Sequence, residues 1–291
     1  MRYIDLHVHS NCSDGTFSPE ELVVLGIKQE LVAFALTDHD TISGVERAIK
    51  KAEEFDNKIQ VIPGMELSCK YTISSSQSVE IHMLGYRYDI HNKKLIATLE
   101  DISNERDERN RKMCSNLQNA GFPISYDMLC ERFGDTILTR AHFARLLLEN
   151  GGVPSLDYAF RTCLSSDSPY FVNREYLTPK DAIDLIRASG GIPVLAHPLL
   201  YKLSVSQIRR LLDDLTSYGL CGIEAIYSRN RGTDEAFVRK LAEEYHLFIT
   251  GGSDFHGANK PDIHLGSGYG GLRVSALLLD NIKARLQQKN S

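Results

Sequence analysis

An α/β fold with a mainly parallel sheet is predicted for this 291-residue chain by three observations. Short apolar or β-branched segments recur along it. Amphipathic stretches with legible helix starts lie between them, and most segments are bounded by glycine, proline or aspartate. The strand candidates are "YIDLHVH", "LVAFALTDH", "IQVIPGMELS", "EIHMLGY", "GIPVLAHP", "GIEAIYS" and "LFITGGSDFH". Among the helices, "SPEELVVLGIKQ" opens with Ser18, Pro19 and Glu21, a capping box with proline at the first helical position. "TPKDAIDLIRASGG" repeats the arrangement with Thr178, Pro179 and Asp181, and stops at Gly190 and Gly191.

The rhythm breaks between the fourth and fifth strands. From 91 to 173 the pattern is helical, so a helical insertion is expected there, with 1–90 and 174–291 supplying the α/β frame. Its first portion carries Leu95, Leu99, Ile102, Met113 and Leu117 at helical spacings around a charged middle. Both signs alternate in that run, which reads as a solvated helix face. "YDMLCERF", "TRAHFARLLLENG" and "LDYAFRTCL" follow, all helix-like.

Composition narrows the setting. The chain is 42% hydrophobic with a formal net charge of −5, enough apolar content for a core and no electrostatic footprint for duplex nucleic acid or an anionic membrane. Six scattered cysteines without a CxxC pair read as reduced thiols. No apolar run of about 18 residues and no basic start with an apolar stretch appears. A soluble cytoplasmic protein is expected.

The polar residues recur at one end of the strands. In "DLHVHSNCSDG", Asp5, His7 and His9 alternate with Leu6 and Val8, so the three polar groups share a strand face. Burying them unpaired would cost roughly 1–3 kcal/mol each. Asp14 follows in the loop, His39 ends the second strand, Glu66 the third, and His82 lies in the fourth. His197 closes the fifth, and Asp254 with His256 the seventh. In α/β folds the carboxyl ends of parallel strands meet on one rim, where sites form. A gathering of so many imidazoles and carboxylates calls for divalent cations, and such ligands suit manganese, iron or zinc.

These stretches resemble the PHP (polymerase and histidinol phosphatase) family of metal-dependent phosphoesterases. "DLHVHSNCSDG", "LTDHDT", "PGMELS", "EIHMLGY", "LAHP" and "GGSDFHG" carry the likeness in order along nearly the whole chain. The resemblance implies a distorted seven-stranded (β/α)7 barrel with a metal cluster at its carboxyl-end rim and a helical insertion domain. It is closest to the subgroup of 3′,5′-nucleoside bisphosphate phosphatases and enzymes that trim short RNA from the 5′ end. It further implies two or three metal positions. His7, His9, Glu66 and Asp254 would form the first, Asp14, His39 and His256 the second, and Glu66 with His82 and His197 the third. Asp5 is expected to orient an imidazole from behind. Asp38 and Asp40 flank His39 and so face away by alternation, although a loop could return Asp40 to the site.

Such a centre can lower the pKa of bound water toward about 7, providing hydroxide at neutral pH without a protein nucleophile. Asp40 and Arg140 are the side chains expected to assist. Arg140 and His142 match a stretch that contributes to the substrate cleft in the bisphosphatase subgroup, and a guanidinium fork suits phosphate. Arg145, Arg174, Lys202, Arg229 and Arg231 are expected to be solvated. The expected substrate is a small phosphorylated metabolite, a nucleotide such as a 3′,5′-bisphosphate, or short RNA. Alternatives are a 5′-3′ exonuclease on short RNA, a histidinol phosphatase, a hydrolase of C–N bonds, or a non-catalytic metal-stabilised nucleic-acid-binding module. No GxGxxG, GxxxxGKS or GxSxG motif supports a dinucleotide, P-loop or α/β-hydrolase reading.

Overall fold

In the computed structural model, residues 2–75, 77–280 and 282 are described. The frame begins with β1 (Tyr3–Val8), α1 (Pro19–Lys28), β2 (Leu31–Leu36) and α2 (Val45–Glu53). A long hairpin follows, β3 (Gln60–Ser74) and β4 (Gln77–Tyr86). The helices α3 (Lys93–Asn119), α4 (Tyr126–Phe133), α5 (Arg140–Glu149) and the single turn α6 (Leu156–Tyr158) come next, and α6 runs into a π-helical segment, Ala159–Cys163. The chain then returns through α7 (Pro179–Ala188), β5 (Ile192–Leu195), α8 (Val205–Tyr218), β6 (Gly222–Tyr227), α9 (Asp234–Glu244), β7 (Phe248–Gly252) and β8 (Val274–Ser275).

The capping signals hold. Ser18 and Glu21 cap α1 reciprocally, and the Thr178 hydroxyl accepts from the Asp181 amide at α7. The sheet order is β7-β6-β5-β4-β3-β2-β1-β8. Beyond β7 the chain bridges to the end of β1: the Asp254 amide donates to His7 O at 2.9 Å and the His9 amide to Phe255 O at 3.0 Å. The sheet is thereby nearly closed into a barrel. Gly252 permits the closure, since a Cβ there would lie 2.4 Å from the His7 backbone nitrogen. The seven expected strands are present, joined by the short β8, which pairs antiparallel with β1.

One strand departs from the parallel expectation. β4 runs antiparallel to both β3 and β5. Only two residues separate β3 from β4, and a parallel return needs a crossover of a dozen or so. The pairs β1–β2, β2–β3, β5–β6 and β6–β7 are parallel.

Strand residues such as Leu6, Ala35, Ile62, Leu84, Tyr86 and Val194 form one apolar cluster. The Tyr86 hydroxyl donates to Leu6 O at 2.7 Å, linking strands that are not sheet neighbours, so this cluster fills the barrel interior. Two further clusters join strands to helices. A fourth lies within the insertion and includes Met113, Leu117, Phe143, Leu147 and Cys163. The helix α3 spans both regions, with Leu95, Leu99 and Ile102 on the frame and Met113, Cys114 and Leu117 on the insertion cluster.

The charged middle of α3 is not a fully solvated face. Arg106 and Arg109 are buried. They continue the stripe of Ile102 and Met113 at helical spacing, so the helix aims them inward with its apolar residues. No helix among the described residues is long and apolar enough to cross a membrane.

Candidate active site

The strand ends bring all nine expected ligands together. Glu66, buried at the end of the parallel run of β3, is the hub. Its two oxygens lie 2.9 Å from His82 Nδ1 and His197 Nε2, 3.1 Å from His39 Nδ1, 3.3 Å from His9 Nε2 and 3.4 Å from His7 Nε2. Asp254 Oδ1 stands 3.5 Å from His9 Nε2 and 3.4 Å from His256 Nδ1. Asp14 Oδ1 is 3.2 Å from His256 Nε2. Three overlapping groups have ligand atoms mutually within 4.8 Å: His9, Asp14, His39 and His256; His7, His9 and Glu66; and His39, Glu66 and His82.

Backbone conformation contributes to this placement. Asp40, His197 and Asp254 have φ of 51°, 23° and 57°, in the left-handed region that costs a non-glycine residue about 1–3 kcal/mol. Each breaks the strand alternation where a side chain must be redirected.

The cluster fits divalent cations. His7 Nε2, both ring nitrogens of His9, His39 Nδ1 and Asp14 Oδ1 are buried without a hydrogen-bond partner. Such orphans are rare in native folds and here converge on shared points. Burial tends to raise Glu66 and Asp14, yet the imidazoles around them hold both carboxyls well below the usual range. Burial and the His256 ring drive His9 well down. Burial opposes protonation of His82 too, but Glu66 outweighs it and brings the ring up to about 10. Anionic oxygens and imidazoles in this array match the donor set of manganese, iron or zinc.

The groups behind the ligands differ in part from expectation. Glu224 Oε1 lies 3.0 Å from His7 Nδ1 and fixes which nitrogen faces the cluster, while its Oε2 accepts from the His197 amide at 2.9 Å. Asp5, expected in that role, instead accepts from the Ser253 and Gly266 amides at 2.8 Å each and holds β1 to the loop after β7. A lone glutamate inside the apolar stretch "GIEAIY" was the available signal for Glu224. Asp38 accepts from the Ser10 amide at 2.7 Å and the Ser13 hydroxyl at 2.6 Å, ordering the loop that presents Asp14.

A cleft of about 430 Å³ opens beside the cluster. His39, His82, His256 and Asp14 line its floor, and Arg106, Arg109, Arg140 and Arg174 its wall. Asp40 does not reach the ligand array. Its buried carboxylate accepts from both the Nε and Nη2 of Arg106 and, at 3.2 Å, from Arg174 Nη2. Burial opposes ionisation of Asp40, but the two guanidinium groups hold its carboxyl below the usual value. Arg174, expected to be solvated, has a side chain only 3% exposed and stacks 4.1 Å over the Tyr176 ring. Lys202, Arg229 and Arg231 are exposed, with Arg229 at the cleft rim. Arg140 reaches the cleft from the first turn of α5 and pairs with Glu80 at 3.1 Å. Arg145 is half-buried and donates to Asn259 Oδ1 at 2.9 Å.

Arg109 has no carboxylate partner among the described residues, its Nε is orphaned, and burial together with Arg106 pushes its pKa down. His142 is not brought into the cleft lining. Its Nδ1 accepts from the Thr139 amide at 3.0 Å in a capping box of α5, and its ring packs on Phe133.

Residues 5–152 match the PHP domain family. The chain belongs to the PHP family of metal-dependent phosphoesterases. This PHP protein is 34% identical over 252 residues to a 5′-3′ exoribonuclease of Haemophilus influenzae, covering 87% of this chain and 89% of the relative. It is 32% identical over 259 residues to a 3′,5′-nucleoside bisphosphate phosphatase of Chromobacterium violaceum, covering 88% of each. A solved structure from Chromobacterium violaceum, described as an amidohydrolase with bound sulfate and no metal, superposes with a TM-score of 0.84 at 30% identity. The superposition covers 97% of this PHP chain and 96% of that one.

Proposed function

We propose that this PHP protein is a phosphatase that hydrolyses a phosphate monoester of a nucleotide, favouring a 3′,5′-nucleoside bisphosphate and giving nucleoside monophosphate and phosphate. The observation that carries this reading is the facing of two features in one cleft. Six arginines line the same cleft as the imidazole and carboxylate cluster, and one of them, the buried Arg109, lacks a counter-anion among the described residues. A buried cation without a partner is expensive, and a phosphate ester with two or more negative charges supplies what is missing.

Divalent ions held by His7, His9, Asp14, His39, Glu66, His82, His197, Asp254 and His256 would supply Lewis acidity toward phosphoryl oxygen and a water of lowered pKa. The protein's own part is binding and orientation. Asp40 fixes Arg106 and Arg174 in the lining of the cleft, which makes Asp40 a positioning residue. Arg109 and Arg140 neutralise phosphate charge, and Glu80 orients Arg140. Glu224 sets the tautomer of His7. The helical stretch 91–173 acts as a lid that brings Arg106, Arg109 and Arg140 over the barrel rim. The cytosol, with its nucleotide pool, is the compartment this chemistry suits.

A second reading, trimming of short RNA from its 5′ end, is favoured by the likeness to the Haemophilus influenzae exoribonuclease. One experiment tests both. Phosphate and nucleotide release are measured across nucleoside bisphosphates, sugar phosphates, histidinol phosphate and short 5′-phosphorylated RNAs, with metal content determined on the same sample. Turnover highest on the bisphosphates is the expected result. No release from any member by metal-loaded protein would sink the proposal, and mononucleotide release from RNA alone would replace it with the second reading.

A further inference from the structure

The cleft has an apolar side that neither the cluster nor the arginines use. Leu156 and Phe160 line it and are 36% and 43% exposed. They lie four residues apart across the junction of α6 with the π-helical segment, so they share one face. Ala159 and Cys163, also four apart, are fully buried in the insertion's apolar cluster. The segment is therefore anchored by one side and presents Leu156 and Phe160 to the cleft by the other. Ala141 is also in the lining.

Large apolar side chains left open inside a charged cleft forfeit hydrophobic stabilisation unless a ligand covers them. Their occupant is set by what shares the cleft. Any phosphate ester held by Arg106, Arg109 and Arg140 places its alcohol portion within the same cleft of about 430 Å³. A sugar phosphate would leave the apolar wall bare, whereas a nucleobase offers a flat face to an aromatic ring. We infer that Leu156 and Phe160 form a stacking wall for the substrate's base, and so select nucleotides over base-free phosphate esters. This deepens the proposed function and rests on its placement of the phosphate.

The test is equilibrium binding of adenosine 5′-monophosphate and of ribose 5-phosphate, which share a sugar phosphate and differ in the base. Calorimetry on manganese-loaded wild type, Phe160→Ala, Leu156→Ala and Phe160→Tyr reads the ratio of the two dissociation constants. The wild type is expected to prefer the nucleotide by about tenfold or more, in line with base–aromatic stacking. In Phe160→Ala the preference drops to about threefold or less, Leu156→Ala also narrows it, and Phe160→Tyr retains it. A preference that persists in both alanine variants, or is absent from the wild type, overturns the wall. Binding is read apart from turnover. A protein that prefers the nucleotide yet releases phosphate from none would sink the reaction and leave the wall standing, while turnover without preference would sink the wall alone.

Discussion

At the scale of single residues, buried groups behind the ligand array set the behaviour of those that face it. Glu224 is fully buried behind His7, and its 3.0 Å contact to Nδ1 leaves Nε2 aimed into the ligand array. Glu224→Gln should weaken divalent metal affinity by roughly 10–100-fold, the usual range for losing such a partner. Metal titration followed by calorimetry checks this, and unchanged affinity would remove Glu224 from the centre. Arg109 shows the opposite balance, a buried cation beside Arg106 with an orphaned Nε. Arg109→Met should leave the urea midpoint unchanged or raise it, because a buried charge is replaced by an apolar chain of similar length. The same change should lower kcat/KM on a nucleotide by roughly a hundredfold, the scale of losing one charge-stabilising donor. A variant that loses stability and keeps activity would show that Arg109 serves the fold.

Legibility at this scale followed chain position. The clustered residues announce themselves because His7, His9, His39, Glu66 and Asp254 are polar groups within or at the ends of apolar strands. Arg106 and Arg109 were hidden among charges of both signs. Their continuation of the Ile102–Met113 stripe was the signal that separated them from their solvated neighbours. Asp40 could not be placed by alternation, since it adopts positive φ and breaks it.

At the scale of elements, α5 joins the insertion to the site. Thr139 and His142 close its first turn reciprocally, and the Thr139 hydroxyl lies 3.2 Å from Asp14 Oδ2. Burial pushes His142 down to about 4, from an ordinary value of 6.5. A histidine depressed in the folded state is neutral there while the unfolded chain takes up a proton. Its contribution is thus complete above pH 6.5 and is lost as the pH falls toward 4, for a total on the order of 3 kcal/mol. In His142→Gln, glutamine keeps a capping-box residue at the same position. The acid limb of the urea-unfolding stability curve should therefore be shallower between pH 6.5 and 4 than in wild type. Identical limbs would show that His142 is not buried as a neutral ring. The hairpin of β3 and β4 carries a second lesson at this scale. The two intervening residues impose an antiparallel return, but the candidates "IQVIPGMELS" and "EIHMLGY" stop eleven residues apart, so the strands' extension to a tight turn was not legible.

At the scale of the whole molecule, a nearly closed sheet gathers the candidate ligands from six strands and the loops that follow them, and an insertion anchored by α3 adds arginines to the same cleft. Barrel closure and site assembly are the same event, because the segment that bridges to β1 carries Asp254 and His256. The insertion's helices were legible from their spacing. Which of their faces meets the cleft was not, since that depends on how α3 is seated on the frame. The central claim is that these dispersed side chains form one divalent metal centre beside a cationic wall. Anomalous diffraction from crystals grown with manganese tests it most directly. Peaks ligated by Glu66, the imidazoles around it, Asp14 and Asp254, on the floor of the arginine-lined cleft, are the expected result. Full-occupancy peaks elsewhere, with none among these residues, would contradict it.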